Sequence, residues 1–315
     1  EIFQAEEDLN DAYEDILIIV RTAKYGLGNI DIKLKDALLL SERLLKQYDS
    51  YDLNAISYKL KQLDLLNNHD VVSLKSLCLE ASHYFNTQKV NNLSEFLAYK
   101  YQFALCLLQE RDLIEAMNVL TKIIKSKNIA RELWLSSNFL SLVVLFKSGS
   151  YKQAVEQALK SLKKDFSDEI KYMDSIEWLN YLNWIKIIDQ LNLHKMTKLK
   201  LTNLTIIEEK LLQKYPNKIE DLSDLILACV NKTFSKAAHI LLTLENKYKP
   251  SYKYANGKRH ELFFKYINEY IDAKGEIDKK KRVSILKKIS KHNPNYLSEY
   301  FEYEVFPYEL IIEKI

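Results

Sequence analysis

Leu145-Phe146-Lys147-Ser148-Gly149-Ser150-Tyr151-Lys152-Gln153-Ala154-Val155-Glu156-Gln157-Ala158-Leu159 decides the fold of this chain. Gly149 stands between two runs of helix-compatible residues, and glycine lets a backbone turn at little steric cost. Directly after it, Ser150 and Gln153 have the spacing of a capping box, in which each side chain satisfies a free N–H of the first helical turn. Ala154, Ala158 and Ser161 then fall at i, i+4 and i+7, a small-residue stripe on one helix face. The stretch reads as helix, tight turn, helix.

The same register recurs along the chain. Leu34-Lys35-Asp36-Ala37, Leu113-Ile114-Glu115-Ala116 and Phe234-Ser235-Lys236-Ala237 each place a bulky apolar residue three before an alanine, as Tyr151 does before Ala154. Four residues beyond those alanines come Ser41, Leu120 and Leu241, and seven beyond come Leu44, Ile123 and Leu244. The four alanines are 79, 38 and 83 residues apart, a period near 40 with one divergent copy expected in each long gap. Helical material fills those gaps, at Val71–Phe85 and Met196–Tyr215. Asp112 with Glu115 repeats the capping spacing, and Asn217 with Glu220 marks another start. Pro216, Pro250 and Pro294 each follow a lysine-rich segment, where cations suit a helix C-terminus and proline stops continuation.

Composition agrees. The 120 residues between Gly28 and Gly149 contain no glycine or proline, so there is little loop in which to build a substrate-cradling site. Apolar residues make up 47% and charged residues 28%, with a net charge of +3, which gives no global pull toward a polyanion. Cys78, Cys106 and Cys229 are far apart in apolar contexts, which favours buried thiols and a reducing, cytoplasmic setting. No apolar run approaches the roughly 18 residues of a membrane span, and no signal peptide opens the chain. Starting at Glu1 without methionine, the chain reads as a processed or trimmed fragment.

These residues resemble the tetratricopeptide repeat, a helix-turn-helix unit. Gly149, Tyr151 and Ala154 match the turn and second helix of that family, and Asp112 to Ile124 match nearly as well, with Ala104 at the small position of the first helix. The resemblance departs at Leu142, which replaces the small residue, and in the lengthened period. It covers residues 31 to 292 and implies an all-α, right-handed superhelical α-solenoid of about 14 helices in helical hairpins. Residues 1–30 then form an acidic and apolar N-terminal helix, and residues 293–315 an aromatic C-terminal cap. A non-repetitive helical bundle is the alternative architecture. Degenerate repeats of this kind are similar in style to those of bacterial regulators, although no helix-turn-helix or winged DNA reader is present in the sequence. The DNA-binding part of such a regulator is expected either upstream or on another protein.

Motifs for chemistry are sparse. Gly26-Leu27-Gly28-Asn29 lacks the strand that would make it a phosphate loop and reads as a turn. The six histidines form no i, i+4 pair. No catalytic residue, cofactor or metal is therefore expected.

The resemblance also implies which side chains face a partner, since the first helix of each unit lines the concave groove. These are Ala98, Tyr101, Leu105, Leu108 and Gln109 in one repeat, and Ser136, Phe139, Val143, Phe146 and Lys147 in the next. Either this largely apolar row accepts a peptide or protein, or it is simply core. Asn180, Asn183 and Trp184 share a helix face that either grips a peptide backbone through carboxamides or makes an aromatic contact between repeats.

Lys279, Lys280, Lys281, Arg282, Lys287, Lys288 and Lys291 form a basic stripe opposite Val283, Leu286 and Ile289. It is either a solvated face or a surface for nucleic acid or an acidic partner, the acidic residues 1–15 of a second copy in a homodimer included. The sequence thus points to a non-catalytic peptide- or protein-binding module, the recognition part of a cytoplasmic regulator of transcription or signalling. A chaperone or assembly scaffold and a nucleic-acid-binding adaptor are the alternatives.

Overall fold

Six turns of one design organise the chain. At His69, Arg111, Gly149, Asn192, Lys232 and Lys274 the backbone enters the left-handed region, with φ between 49° and 71°. Each of these N–H groups bonds the carbonyl three residues back, and the following N–H bonds the carbonyl five back. Arg111 N to Leu108 O (3.0 Å) with Asp112 N to Leu107 O (2.8 Å) is one example, and Lys232 N to Cys229 O (3.0 Å) with Thr233 N to Ala228 O (2.9 Å) another. This is the Schellman arrangement, which closes the last carbonyls of one helix so that the next can begin at once. The six positions follow one another at intervals of 42, 38, 43, 40 and 42 residues.

The structure is a computed structural model that describes the chain apart from residues 23–29, 88–92, 168–176, 216–217, 250–251, 253–256, 295 and 298–303. The turn read at Gly26–Asn29 and the helix start read at Asn217 lie outside the described residues. Among the described residues there are 15 helices and no strand.

Two compact units divide the chain, Glu1–Ser137 with Tyr296–Glu302, and Asn138–Asn295 with Tyr303–Ile315. The first unit holds α1 (Ile2–Thr22), α2 (Ile30–Gln47), α3 (Tyr51–Asn67), α4 (Val71–Thr87), α5 (Leu93–Gln109) and α6 (Leu113–Ile124), and it takes the start of α7 (Arg131–Lys147). From α1 to α6 each helix packs on the next, α1 also packs on α3, and α3 meets α5 through Tyr58 and Tyr99. Ala5, Leu9 and Ile16 of α1 meet Leu34, Ala37 and Leu44 of α2 and Leu53 and Leu60 of α3 in one apolar cluster. Tyr58, Phe85 and Tyr99 continue the core, with Phe85 and Tyr99 stacked at 5.6 Å between ring centres.

The second unit contains the rest of α7, then α8 (Tyr151–Ser167), α9 (Glu177–Gln190), α10 (Lys198–Lys214), α11 (Leu222–Val230), α12 (Phe234–Tyr248), α13 (Lys258–Asp272), α14 (Lys279–Ile289) and α15 (Tyr308–Lys314). Here α9 packs on α8, α10 and α11, and α11 to α15 pack in chain order. Between α7 and α8, Ser161 Oγ donates to Asn138 Oδ1 (2.6 Å) and Gln157 Nε2 to Ser141 Oγ.

Ala116, Ala154 and Ala237 lie five residues beyond their left-handed residues and are completely buried. At this register position the second helix of these hairpins turns the same point of its face into the core. Leu74 holds the same place in α4, also buried, which is why that copy has no alanine to betray it. Asp112 caps α6 by accepting the N–H of Glu115 (3.2 Å). The three cysteines are buried and unpaired.

Candidate functional site

Within the second unit, several side chains expected to face a partner converge on residues 304–309. Lys147, at the end of α7, sends Nζ to Glu304 Oε1 at 2.9 Å. Arg259, in the first turn of α13, grips the same carboxylate from another side, Nε to Oε2 at 2.6 Å and Nη2 to Oε1 at 2.8 Å. It also donates to both oxygens of Glu309 (2.9 and 2.8 Å) and to the carbonyls of Ile289 and His292 at the end of α14. Arg259 and Glu304 are only 4% and 3% exposed.

Two cations and two carboxylates balance within this cluster, which is what makes such burial tolerable. Burial pushes the Glu304 carboxyl up, but the charges and hydrogen bonds of Lys147 and Arg259 outweigh it and hold the group below the usual carboxylate range. At Lys147 burial prevails, and the ammonium is pushed below the usual lysine value despite Glu304. The guanidinium fork supplies what an ammonium cannot, two planar paired contacts and a cap on a helix end.

Phe306 is completely buried beside this cluster. It stacks on Trp184 with ring centres 5.4 Å apart and planes 2° from parallel, and it also touches Phe146 and Tyr151. Phe139 lies flat on Tyr181 at 4.3 Å and edge-on to Trp178 at 4.9 Å. Asn183 is buried and donates to Ser223 Oγ (3.1 Å) and Asp224 Oδ1 (2.8 Å), and Lys218 Nζ reaches the other oxygen of Asp224 at 2.6 Å. Asp221 caps α11 there in a complete capping box with Asp224. Asn180 stays half-buried, and its amide oxygen is screened from solvent without a hydrogen-bond partner.

In the first unit, Gln109 Oε1 accepts the backbone N–H of Tyr296 at 2.9 Å, and Tyr101 is half-buried on the same helix. The structure therefore engages Gln109, Phe139, Lys147, Asn183 and Trp184 with the chain's own residues; Tyr101 and Asn180 are half-buried. Spacing could not reveal Arg259, Glu304 and Glu309, which are brought together from 45 and 50 residues apart. One signal was available. Only six of the 46 basic residues are arginine, and a rare arginine in a lysine-rich stretch suits a paired carboxylate contact.

The basic stripe lies on α14, where Lys279, Lys280, Lys281, Lys287 and Lys288 are exposed, as is Lys291 just beyond. Arg282 is half-buried, with its Nη1 3.4 Å from the carbonyl of Glu313. Val283, expected on the packed face, is 56% exposed, and Ile289 is the buried residue of this helix.

No three His, Cys, Asp or Glu side chains gather as a metal-ligand set among the described residues. No described helix is long and apolar enough to cross a membrane. No protein-family model, curated protein or solved structure matches the chain.

Proposed function

We propose that this chain is a non-catalytic peptide- or protein-binding module built from degenerate tetratricopeptide-like hairpins in a right-handed superhelical stack. The observation that carries the reading is the recurrence of one Schellman turn at intervals of 38 to 43 residues, each turn joining two helices. Contacts between alternate helices, α1 with α3 and α9 with α11, support it, because stacked hairpins bring their first helices side by side. Such arrays bury little of each repeat alone and offer extended surfaces, which suits holding a partner rather than activating a substrate.

Sensing or partner recognition within a cytoplasmic regulator is the role we assign it. Buried, unpaired thiols at all three cysteines fit a reducing compartment. Within the first unit Tyr101, and within the second unit Asn180, are the half-buried positions proposed to contact the partner.

Capture of the tagged chain from its native host, with mass spectrometry of everything retained, tests the reading. A bound peptide that is lost on substitution of Tyr101 or Asn180 is the expected result. One large folded partner with no peptide would end the sensory reading and favour an assembly scaffold.

A further inference from the structure

Charge is strongly segregated along the sequence. Residues 232–291 carry 16 lysines and arginines against six acids, although the whole chain has a net charge of only +3. The densest part is α14, and its construction runs against helix stability. Asp278 caps the helix by accepting the N–H of Lys280 (3.2 Å), but Lys279, Lys280, Lys281 and Arg282 then open it with no acid in the first turn, where the backbone dipole is positive and disfavours cations. Lysines placed there serve something other than the helix.

Their geometry suits a polyanion. Lys280 and Lys287 lie on the side of α14 opposite the buried Ile289, with Lys281 and Lys288 beside them and Lys291 exposed just past the helix end. At 1.5 Å per residue, Lys280 and Lys287 stand about 10 Å apart along the axis, a spacing that spans about three phosphate steps of one strand. Lys281 is 68% exposed, and its nearest carboxylate, Glu269, is 3.9 Å away. Lys265 and Lys274 extend the exposed positive surface onto α13 and the turn that follows it.

We propose that α14 docks on the phosphate backbone of duplex nucleic acid, without reading its sequence. A protein partner is disfavoured because the cores of protein interfaces are poor in lysine and need apolar anchors, and Val283 is the only large apolar side chain exposed on this helix. Single strands need aromatic platforms, whereas α14 has no aromatic residue and Phe263, Phe264, Tyr266 and Tyr270 of α13 are buried. A bilayer would need an unpacked apolar face, which this helix does not offer. Sequence readout would need a free arginine fork, and Arg282 is turned to the Glu313 carbonyl.

Fluorescence anisotropy with a labelled duplex DNA of about 20 base pairs, titrated over a range of potassium chloride, tests the assignment. Binding at low salt is expected, with log K falling against log salt at a slope of about −4.5 for five neutralised phosphates. The triple substitution Lys280→Glu, Lys287→Glu and Lys288→Glu is expected to weaken binding at least about tenfold and flatten the slope, with a slightly lower melting temperature, because glutamate suits the first turn at 280 but not the last turn at 287 and 288. The same three changes to glutamine should give an intermediate loss, which separates charge from damage to the fold. Absence of duplex binding at the lowest salt, full binding by the glutamate variant, or binding to phosphatidylserine vesicles in place of DNA would each overturn the proposal.

Discussion

Arg259 meets Glu304 through two parallel contacts, Nε to Oε2 at 2.6 Å and Nη2 to Oε1 at 2.8 Å, while Lys147 holds Oε1 from α7 at 2.9 Å. Removing the shared carboxylate leaves two buried cations with Glu309 as their remaining acidic partner. Breaking a buried pair in this way costs about 3–5 kcal/mol, far more than the pair contributes when intact. Glu304→Gln is therefore expected to lower the urea midpoint of the second unit, followed by Trp178 and Trp184 fluorescence. A midpoint within error of wild type would mean that the cluster is not closed in solution. The sign with pH follows from the depressed Glu304 value. Its stabilising contribution is present above the ordinary carboxylate value of 4.5 and is lost as pH falls through the lower folded-state value.

Trp184 and Phe306 lie parallel with ring centres 5.4 Å apart, and both are buried. A tryptophan kept for an external ligand would be removable at little cost to stability. Here Trp184→Ala and Phe306→Ala are each expected to cost about 3–5 kcal/mol. The double variant should fall short of additivity by about 0.5–1.5 kcal/mol, because the two rings lose the same stacking contact. Full additivity would place Phe306 away from Trp184.

Legibility of the sequence varied with the range of the interaction. The register of Ala37, Ala116, Ala154 and Ala237 was readable because the same buried point of a helix face recurs as a local pattern. Turns at Lys232 and Lys274 were not, since lysine is no turn former and helices on both sides impose the left-handed backbone, whereas His69 reads as a turn residue. The missing glycines therefore meant turns made without glycine as well as long helices. Side-chain partners were least readable of all. Helical spacing set Gln109, Lys147 and Trp184 on one type of face, but it could not say that Tyr296, Glu304 and Phe306 occupy them, from more than 100 residues away.

Asp221 gives the second unit a further pH dependence. Burial pushes its carboxyl up from 3.8 to about 6, whereas at the adjacent Asp224 burial is outweighed by Lys218 and that carboxyl is held low. With the folded value of Asp221 above the unfolded one, the native state binds the extra proton between those limits. Stability from this group therefore declines as pH rises from about 3.8 to about 6 and is constant outside that window. Asp221→Asn keeps an effective N-cap but cannot titrate, so its melting temperature should vary less across the window than that of wild type. Equal slopes for the two proteins would remove Asp221 as the source.

The left-handed turns predict stabilisation by glycine, of which this chain has five. Lys232 at φ 55° and Lys274 at φ 49° hold exposed side chains in a conformation that costs an L-residue roughly 1–2 kcal/mol. Glycine removes that strain and adds about 0.4–1 kcal/mol of unfolded-state entropy in the opposite direction. Lys232→Gly and Lys274→Gly should therefore each stabilise by about 0.5–1 kcal/mol, read from urea midpoints at constant m-value. Gly149 is the reverse case. A Cβ there would meet no atom within 4 Å, so Gly149→Ala tests backbone strain at φ 71° without any clash. It should destabilise by about 1 kcal/mol. If Lys232→Gly loses stability while Gly149→Ala loses none, the turns are not left-handed in solution, and the constant spacing that supports the repeat reading loses its structural meaning.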